Sequence, residues 1–343
     1  MSSTADPAPD LEGLARWMAA RVPGFEGPVA LERFSGGQSN PTYALVSPSG
    51  RWVLRRKPTG PLLPSAHAVD REFRVISALS GAGFPVPRPV GYEEGPALVG
   101  APFYVMDYVE GRIFWTLALP ELARAARRPI YEAQIDTLAD LHRIDPAEVG
   151  LGDYGKPGAY FARQVDRWSR QYRASETDPL PAMDRLIEWL PRTLPPEGEA
   201  RIVHGDFRLD NMIFAADRPQ VLAVLDWELS TLGDPMADLG YLLIAWVIPS
   251  SQRNGLAGLD LTAEGLPTAQ EMVERYQART GRRLTVSLDW LMAYNLFRLA
   301  AICQGIAGRI RDGTAASAEA RATAAQAPLL AEAALSFAVK AGA

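Results

Sequence analysis

The stretch HGDFRLDN, residues 204–211, constrains the fold of this chain more than any other segment. Short apolar segments flank it, at residues 202–203 and 212–214. A loop held between two short strands can turn several polar side chains toward one point. The sequence therefore predicts a strand–loop–strand unit that carries a functional site.

Three polar residues in and after this loop suit the transfer of a phosphoryl group. Such a reaction needs a carboxylate that orients the attacking hydroxyl and accepts its proton, and Asp206 can be that base. Asn211 can turn a side-chain oxygen to the Mg²⁺ that neutralises the phosphates, and Asp226, in the segment LDWE, is a hard oxygen ligand for the same metal. The alternative is that His204 and Asp206 only cap a β-turn, because short motifs also arise by chance.

The pattern of apolar residues changes once along the chain. Residues 26–109 contain five short strand-like segments and one helical segment, whereas the chain after residue 110 is mostly helical in pattern. We therefore predict an α+β fold with three parts: an N-terminal extension and helix (1–25), an N-lobe with a small antiparallel five-stranded sheet plus a helix (26–109), and a larger, mainly helical C-lobe (110–343).

Periodicity and composition predict seven helical segments in the C-lobe: residues 117–142, 158–173, 181–194, 237–246, 268–280, 288–311 and the alanine-rich stretch 315–339. In the last segment, large apolar residues predict packing against the rest of the protein: Leu329, Leu330, Leu335 and Phe337.

Composition excludes several classes of protein. The chain of 343 residues has a net charge of -5, and its basic residues are spread out, so we expect no nucleic-acid partner. The lone cysteine, Cys303, makes no intrachain disulfide, which favours a reducing compartment. The longest uninterrupted apolar run, 241–249, is shorter than the ~20 residues that span a bilayer. We expect a cytoplasmic protein without a membrane partner, and the sequence leaves the oligomeric state open.

Several motifs together resemble a known superfamily. HGDFRLDN, LDWE and GDPMADLG (233–240) resemble the aminoglycoside phosphotransferase and choline kinase-like superfamily. Residues 53–75, VLRRKPTGPLLPSAHAVDREFRV, are similar to the branch that occurs as a kinase-like domain joined to some acyl-CoA dehydrogenases. The resemblance covers roughly residues 25–300. It implies a protein-kinase-like bilobal fold that uses ATP and Mg²⁺ to phosphorylate a hydroxyl of a small molecule.

The turn between the first two strands is the expected phosphate loop. Glycines there let backbone amides approach phosphate oxygens. An ordinary hairpin turn is the alternative, since the segment SGGQSN is neither a Walker A loop nor the loop of protein kinases. The expected phosphate-binding residues are Gly36, Gly37, Gln38 and Ser39.

The third strand is expected to supply a cation to the α- and β-phosphates. The family pattern places Arg55 there, although Arg56 and Lys57 leave the assignment open. A carboxylate on the following helix would pair with this cation, and Glu72 is the candidate; the alternative for Glu72 is a solvated helix charge.

The strand that starts at Phe103 resembles a hinge that holds adenine. By this resemblance, the backbone of Asp107 and Val109 would hydrogen-bond the base, and Met106 would lie beside it. A plain buried strand is compatible with the same pattern.

The resemblance also implies supporting roles around the loop. Asp234, Asp238 and His204 would order the loop rather than do chemistry. Arg208, two residues after Asp206, could balance charge in the transition state, or could be a solvated arginine. Arg298 lies among apolar neighbours and could either face the substrate or pair with an acidic residue.

The acceptor is open at this point. The branch resemblance suggests a hydroxy acid or hydroxyacyl-CoA, whereas the family name suggests an aminoglycoside or another amino alcohol or sugar. A nucleotide-binding regulatory module without turnover would lack the base or a metal ligand, yet Asp206, Asn211 and Asp226 are present. A metal-dependent hydrolase would need a second histidine near His204.

Overall fold

Alternating apolar residues build a five-stranded sheet in the N-terminal part of the chain, as predicted. The structure is a computed structural model and describes residues 8–34, 40–59, 68–156, 158–251, 255–315 and 317–343. In these residues the strands are β1 Ala30–Arg33, β2 Thr42–Ser47, β3 Gly50–Arg56, β4 Pro89–Glu93, β5 Phe103–Asp107, β6 Arg201–Val203, β7 Met212–Phe214, β8 Val221–Val224 and β9 Thr231–Gly233. The helices are α1 Leu11–Ala19, α2 Val69–Gly81, α3 Arg124–Arg143, α4 Tyr160–Ser175, α5 Pro181–Trp189, α6 Met236–Leu243, α7 Ala269–Thr280, α8 Leu288–Arg311, α9 Ala318–Ala324 and α10 Ala327–Lys340.

The chain folds into two units that interleave along the sequence. The first takes residues up to Phe114 together with Ala147–Gly152 and Leu209–Ser230. The second takes Trp115–Pro146, Asp153–Arg208 and Thr231–Ala343. The sheet of the first unit and the helices of the second confirm the predicted α+β, protein-kinase-like fold class, while the boundaries 1–25, 26–109 and 110–343 stay a prediction.

The first unit is built on the antiparallel sheet, in the order β1-β2-β3-β5-β4. Its register places Arg55 of the central strand β3 opposite Tyr104 of β5. Helix α2 buries Val69, Glu72 and Ile76 on one face, so a carboxylate lies among apolar residues. The hairpin β7–β8 belongs to the same unit and aligns Met212 with Val224.

The second unit surrounds helix α8, whose side chains are mostly buried. The long helix predicted at 288–311 is present with these limits, and Ser287 caps it by accepting a hydrogen bond from the amide of Trp290 at 3.2 Å. Strands β6 and β9 pair in antiparallel fashion, and this pairing holds the strand that leads into HGDFR beside the strand that leads into α6.

The predicted start of the first long helix of the second unit is wrong. Helix α3 begins at Arg124, whereas periodicity placed its start at residue 117. Residues 117–123 include Pro120 and a left-handed residue, Leu119, with φ +51°. A left-handed residue cannot continue a right-handed helix, which explains the later start.

The alanine-rich stretch packs, as predicted, but its most buried residues are alanines. It forms α9 and α10, and the buried side chains of α10 are those of Ala327, Ala331, Ala334 and Ala338. Of the large residues predicted to pack, Leu329 is 64% exposed, and the other three are half-buried: Leu330, Leu335 and Phe337. Small side chains let two helices approach closely, which explains why alanines form the buried face against α8.

The segment Ala318–Lys340 has the length and mean hydropathy, 1.3, that a membrane-crossing helix would need. The expectation from uninterrupted apolar runs missed this segment. Its alanines raise the mean hydropathy without forming a long uninterrupted apolar run. In the structure it consists of two helices, with residues 325–326 between them. Helices that pack in the core of a globular protein meet the same criterion.

Candidate active site

A buried ion pair links β3 to α2 in the first unit. The Nε atom of Arg55 lies 2.7 Å from Oε2 of Glu72, and the two side chains are 12% and 2% exposed. The same guanidinium reaches two further carboxylates through Nη2: Oδ1 of Asp226 at 3.1 Å and Oε2 of Glu228 at 3.4 Å. Arg55 is therefore the cation that pairs with Glu72. Because Glu72 is buried in this ion pair, it is not a solvated helix charge.

Burial and charge act against each other in this cluster. Burial alone would lower the pKa of Arg55, but the attraction of Glu72, Tyr104 and Asp226 raises it above its ordinary value. Burial raises the pKa of Glu72 by more than Arg55 and Tyr104 lower it. Arg55 thus stays a cation, held by a carboxylate that is costly to keep charged.

Two neutral side chains complete the shell around Glu72. Asn40 donates from Nδ2 to Oε1 at 2.6 Å, and Tyr104 donates its hydroxyl to Oε2 at 3.0 Å. Asn40 directly follows the predicted phosphate loop in the sequence. Both carboxylate oxygens of Glu72 therefore have partners, as a buried charge requires.

The two predicted metal ligands are placed by one hairpin. The amide of Leu225 donates to the carbonyl of Asn211 at 2.8 Å, which extends the β7–β8 pairing and brings Asn211 beside the chain that leads into Asp226. Asp226 has φ +65° and ψ +64°, a left-handed conformation that is uncommon outside glycine. Strained backbone of this kind concentrates at functional positions.

The donor set of this hairpin fits a Mg²⁺ ion. Asn211 and Asp226 offer hard oxygen ligands, and Mg²⁺ is commonly bound by one or two carboxylates plus substrate phosphates. Three carboxylates (Glu72, Asp226 and Glu228) face the single guanidinium of Arg55, a formal charge of −2 that a divalent cation would offset. Among the described residues, no group of three or more His, Cys, Asp or Glu side chains forms a metal site by itself.

In the second unit, a buried aspartate organises the segment HGDFR. Asp238 of α6 accepts hydrogen bonds from the amide of His204 at 2.6 Å and from the amide of Gly205 at 2.8 Å. His204 in turn accepts the amide of Asp206 on Nδ1 at 3.2 Å. Burial alone would raise the pKa of Asp238, but hydrogen bonds and the charge of His142 lower it below its ordinary value.

His142 belongs to the same buried network. Its Nε2 lies 3.5 Å from Oδ2 of Asp238, and its Nδ1 is 2.8 Å from the hydroxyl of Tyr276. The residue is fully buried. Helices α3 and α7 thus support the aspartate that holds the loop.

The carboxylate of Asp206 meets two side chains. Tyr241 donates its hydroxyl to Oδ1 at 2.6 Å, and Nε of Arg208 lies 3.0 Å from the same oxygen. Arg298 donates from Nη2 to the carbonyl of Gly205 at 2.6 Å, and its guanidinium lies 5.0 Å from the ring centre of Tyr241. Arg298 is 7% exposed, so a buried cation lies next to the loop.

Asp234 caps the helix that carries Asp238. Its Oδ1 accepts the amide of Met236 at 2.8 Å, which satisfies a donor at the start of α6. Burial raises the pKa of Asp234 above its ordinary value, although this hydrogen bond lowers it in part.

The predicted hinge residues lie at the end of β5 and just after it. Met106 is buried, and Asp107 binds Arg88 through both carboxylate oxygens, at 2.8 and 2.9 Å. The amide of Asp107 donates to the carbonyl of Arg88 at 2.9 Å, so it belongs to the sheet rather than to a ligand. Val109 follows the strand. Gly36, Gly37, Gln38 and Ser39 lie outside the described residues.

Sequence reasoning missed several members of these networks. Tyr241, Asn40 and His142 had no assigned role in the site. Each makes its contact with a residue distant in sequence, 35 positions away for Tyr241 and 32 for Asn40. The one signal in the sequence was the position of Tyr241, which stands three residues after Asp238 and therefore lies on the same helix face.

Comparisons with known proteins agree with these motifs. The sequence profile of the phosphotransferase enzyme family (APH) matches residues 30–278. Acyl-CoA dehydrogenase family member 10 of Mus musculus is 45% identical over 318 residues, which is 92% of this chain and 30% of that protein. Acyl-CoA dehydrogenase family member 11 of Homo sapiens is 38% identical over 90% of this chain and 40% of its own length. The chain thus spans less than half the length of these relatives.

Solved structures show the same fold. A crystal structure from Ralstonia eutropha JMP134, provisionally described as an aminoglycoside phosphotransferase, has a TM-score of 0.91 and 45% identity, covering 98% of this chain and 100% of that one. A ternary complex of a thermostable mutant of aminoglycoside phosphotransferase APH(4)-Ia with AMP-PNP and hygromycin B has a TM-score of 0.59 at 18% identity, covering 96% of this chain and 99% of that one. The second likeness concerns the fold alone.

Because the family profile covers most of the sequence and a relative 45% identical matches 92% of it, the chain belongs to the APH phosphotransferase enzyme family.

Proposed function

We propose that this chain transfers the γ-phosphoryl group of ATP, with Mg²⁺, to the hydroxyl of a small anionic molecule such as a hydroxy acid or a hydroxyacyl-CoA. In this reaction the hydroxyl oxygen of the acceptor forms a bond to the γ-phosphorus. The bond between that phosphorus and the oxygen that bridges it to the β-phosphate breaks, and ADP leaves. The hydroxyl proton passes to the carboxylate of Asp206.

Residues of the first unit are proposed to hold the nucleotide. Arg55, kept charged by Glu72, would exchange its contacts with Asp226 and Glu228 for phosphate oxygens. Bound Mg²⁺ supplies charge neutralisation at the phosphates, and Asn211 and Asp226 are the residues that would hold it. Backbone amides of residues 36–39 would contact phosphates as well.

The adenine would lie against the end of β5. Since the amide of Asp107 is used in the sheet, its carbonyl, together with the backbone of Val109, would hydrogen-bond the base. Met106 would lie beside the ring. We place this activity in the cytoplasm, as the single cysteine favours.

The charge around Asp206 is the observation that carries the choice of acceptor. Arg208 lies 3.0 Å from its carboxylate, and the buried Arg298 binds the neighbouring carbonyl of Gly205. The two guanidinium groups offset the carboxylates of Asp206 and of the buried Asp238, and the side chain of Arg208, 34% exposed, is the accessible cation of this cluster. An anionic group of an acceptor can pair with such a guanidinium, whereas a polycation cannot. The names of the relatives, which concern acyl-CoA, fit an acyl acceptor.

An aminoglycoside is the second candidate acceptor. It is favoured by the description of the Ralstonia structure, which is 45% identical to this chain. Several accessible carboxylates around the acceptor would be needed to bind such a polycation, whereas the carboxylate of Asp206 already meets the hydroxyl of Tyr241 and the guanidinium of Arg208.

The test is release of ADP by the purified protein with Mg²⁺ and a panel of acceptors. The panel includes hydroxyacyl-CoAs, free hydroxy acids, aminoglycosides, choline-like amines and sugars, each with ATP and with GTP. Asp206→Ala should abolish acceptor-dependent ADP release, whereas Asp217→Ala, which removes a carboxylate that is 73% exposed, should leave it intact. If only aminoglycosides are phosphorylated, the anionic acceptor proposed here is wrong. Tight binding of Mg-ATP without turnover of any acceptor would favour a regulatory module.

A further inference from the structure

Helix α6 makes two different contacts with the segment HGDFR from one face. Asp238 accepts the amides of His204 and Gly205, and Tyr241, three residues later, donates its hydroxyl to Asp206. Positions three apart lie on the same side of a helix. The helix therefore holds the backbone of the loop with one side chain and its carboxylate with the next.

We propose that Tyr241 is a positioning residue that fixes the orientation of the Asp206 carboxylate and favours its ionised form. The inference rests on the proposed role of Asp206 as the base. Its chemistry is simple: a hydrogen bond donated to a carboxylate stabilises the charged form, and only the charged form can accept the proton of the acceptor hydroxyl.

The surroundings of Tyr241 keep it a donor. Burial raises the pKa of its hydroxyl well above the ordinary value for tyrosine, and the charge of Asp206 raises it further, so the proton stays on the oxygen at neutral pH. The hydroxyl lies 2.6 Å from Oδ1, a short hydrogen bond.

The ring of Tyr241 is itself held in place. The guanidinium of Arg298 lies 5.0 Å from the ring centre, within the range of a cation–π contact, and donates to the carbonyl of Gly205 at 2.6 Å. Arg208 contacts the same oxygen of Asp206 as Tyr241 does. Because the hydrogen bond from Tyr241 and the ion-pair contact of Arg208 both involve Oδ1, rotation of the carboxylate away from Tyr241 would break two contacts at once.

The test compares Tyr241→Phe with the wild-type protein, using the acceptor that turns over best. The substitution removes one oxygen atom and keeps the ring that packs on Arg298, so the fold should be retained. We expect kcat to fall by about tenfold, the effect of one lost hydrogen bond to a charged group, while KM for MgATP and for the acceptor changes little. The acidic limb of the profile of kcat/KM against pH should move to higher pH, because the carboxylate loses a donor.

A matched control is Tyr172→Phe, which removes the hydroxyl of a fully buried tyrosine of the second unit, 3.5 Å from Glu176. It should leave kcat and the pH profile unchanged. A Tyr241→Phe variant with wild-type kcat and an unshifted acidic limb would overturn the positioning role while the proposed function stands. If the wild-type protein releases no ADP with any acceptor, the proposed function and this inference fail together.

Discussion

Nε of Arg55 lies 2.7 Å from Oε2 of Glu72, and both side chains are almost entirely buried. A buried ion pair adds little net stability compared with apolar packing, yet removal of one partner is costly because the other charge is left without compensation. Here the pair has a further consequence. It fixes the guanidinium of a central strand in a position from which Nη2 also reaches Asp226.

Replacement of Glu72 by glutamine should therefore weaken nucleotide binding. The amide cannot neutralise Arg55, which would turn further toward Asp226 and Glu228. We expect the Kd for MgATP to rise about tenfold and the free energy of unfolding to fall by about 1–3 kcal/mol, the cost of an unsatisfied buried group. Calorimetric titration and urea unfolding measure the two effects. Asp70→Asn, an exposed carboxylate in the same helical turn, is the control and should change neither.

Removal of the charge of Asp226 should raise the requirement for Mg²⁺. Asparagine tolerates the left-handed backbone of this position, so Asp226→Asn should keep the fold. Loss of a charged oxygen ligand should raise the Mg²⁺ concentration for half-maximal ADP release by about tenfold, in line with a weakened site of hard ligands. Titration of Mg²⁺ at fixed ATP gives the value. An unchanged requirement would exclude Asp226 as a ligand.

The sequence predicted local features of this protein better than long-range ones. The limits of α8 follow from Ser287 at its start and from apolar periodicity, both of which lie within the helix or next to it. The predicted start of α3 was wrong because the left-handed backbone of Leu119 is set by the tertiary structure, which composition does not reveal.

The candidate site shows the same limit. Asp206, Asn211 and Asp226 stand in short motifs whose chemistry can be read from residue type and spacing, and the assignment of their roles stays a prediction. The contact of Tyr241 with Asp206 joins two elements 35 residues apart, and it depends on how α6 packs. For a similar reason, alanines rather than leucines form the buried face of α10, since the elements that pack against this helix determine which face is covered.

Loss of Arg208 should affect acceptors according to their charge. If Arg208 is the accessible cation that pairs with an anionic acceptor, Arg208→Ala should raise KM for a hydroxy acid by about tenfold, roughly the effect of one charge-assisted hydrogen bond. The methyl ester of the same acid lacks the anionic group, and its KM should change far less. Steady-state kinetics with the two acceptors give the comparison. Equal effects on both would show that Arg208 does not recognise the acceptor charge.

Two aspartates at the start of α6 should respond to pH in opposite directions. The folded-state pKa of Asp238 is lowered, so its contribution to stability is present above the unfolded value of 3.8 and is lost as the pH falls through the folded value. The folded-state pKa of Asp234 is raised, so its ionisation costs stability as the pH rises from 3.8 through the folded value.

Asparagine at each position separates these effects. Asp238→Asn loses the charge that accepts two amides and should lower the free energy of unfolding at pH 7 by about 2–4 kcal/mol, as expected for a disrupted buried network. Asp234→Asn keeps an oxygen for the amide of Met236 and removes the buried charge, so stability at pH 7 should be unchanged or higher. Urea unfolding of both variants at pH 4 and pH 7 measures the differences. Equal destabilisation by the two substitutions at pH 7 would contradict the assigned directions.

The alanine face of α10 predicts an unusual sensitivity to size. Ala334 is fully buried on α10, which packs against α8 and α5, whereas Leu329 on the same helix is 64% exposed. Ala334→Leu should lower the free energy of unfolding by about 1–3 kcal/mol, the usual effect of added volume in a packed interface. Leu329→Ala should change it by no more than about 0.5 kcal/mol, as is typical of exposed positions. A larger loss for Leu329→Ala than for Ala334→Leu in urea unfolding would mean that the leucines form the packed face, as the sequence alone had indicated.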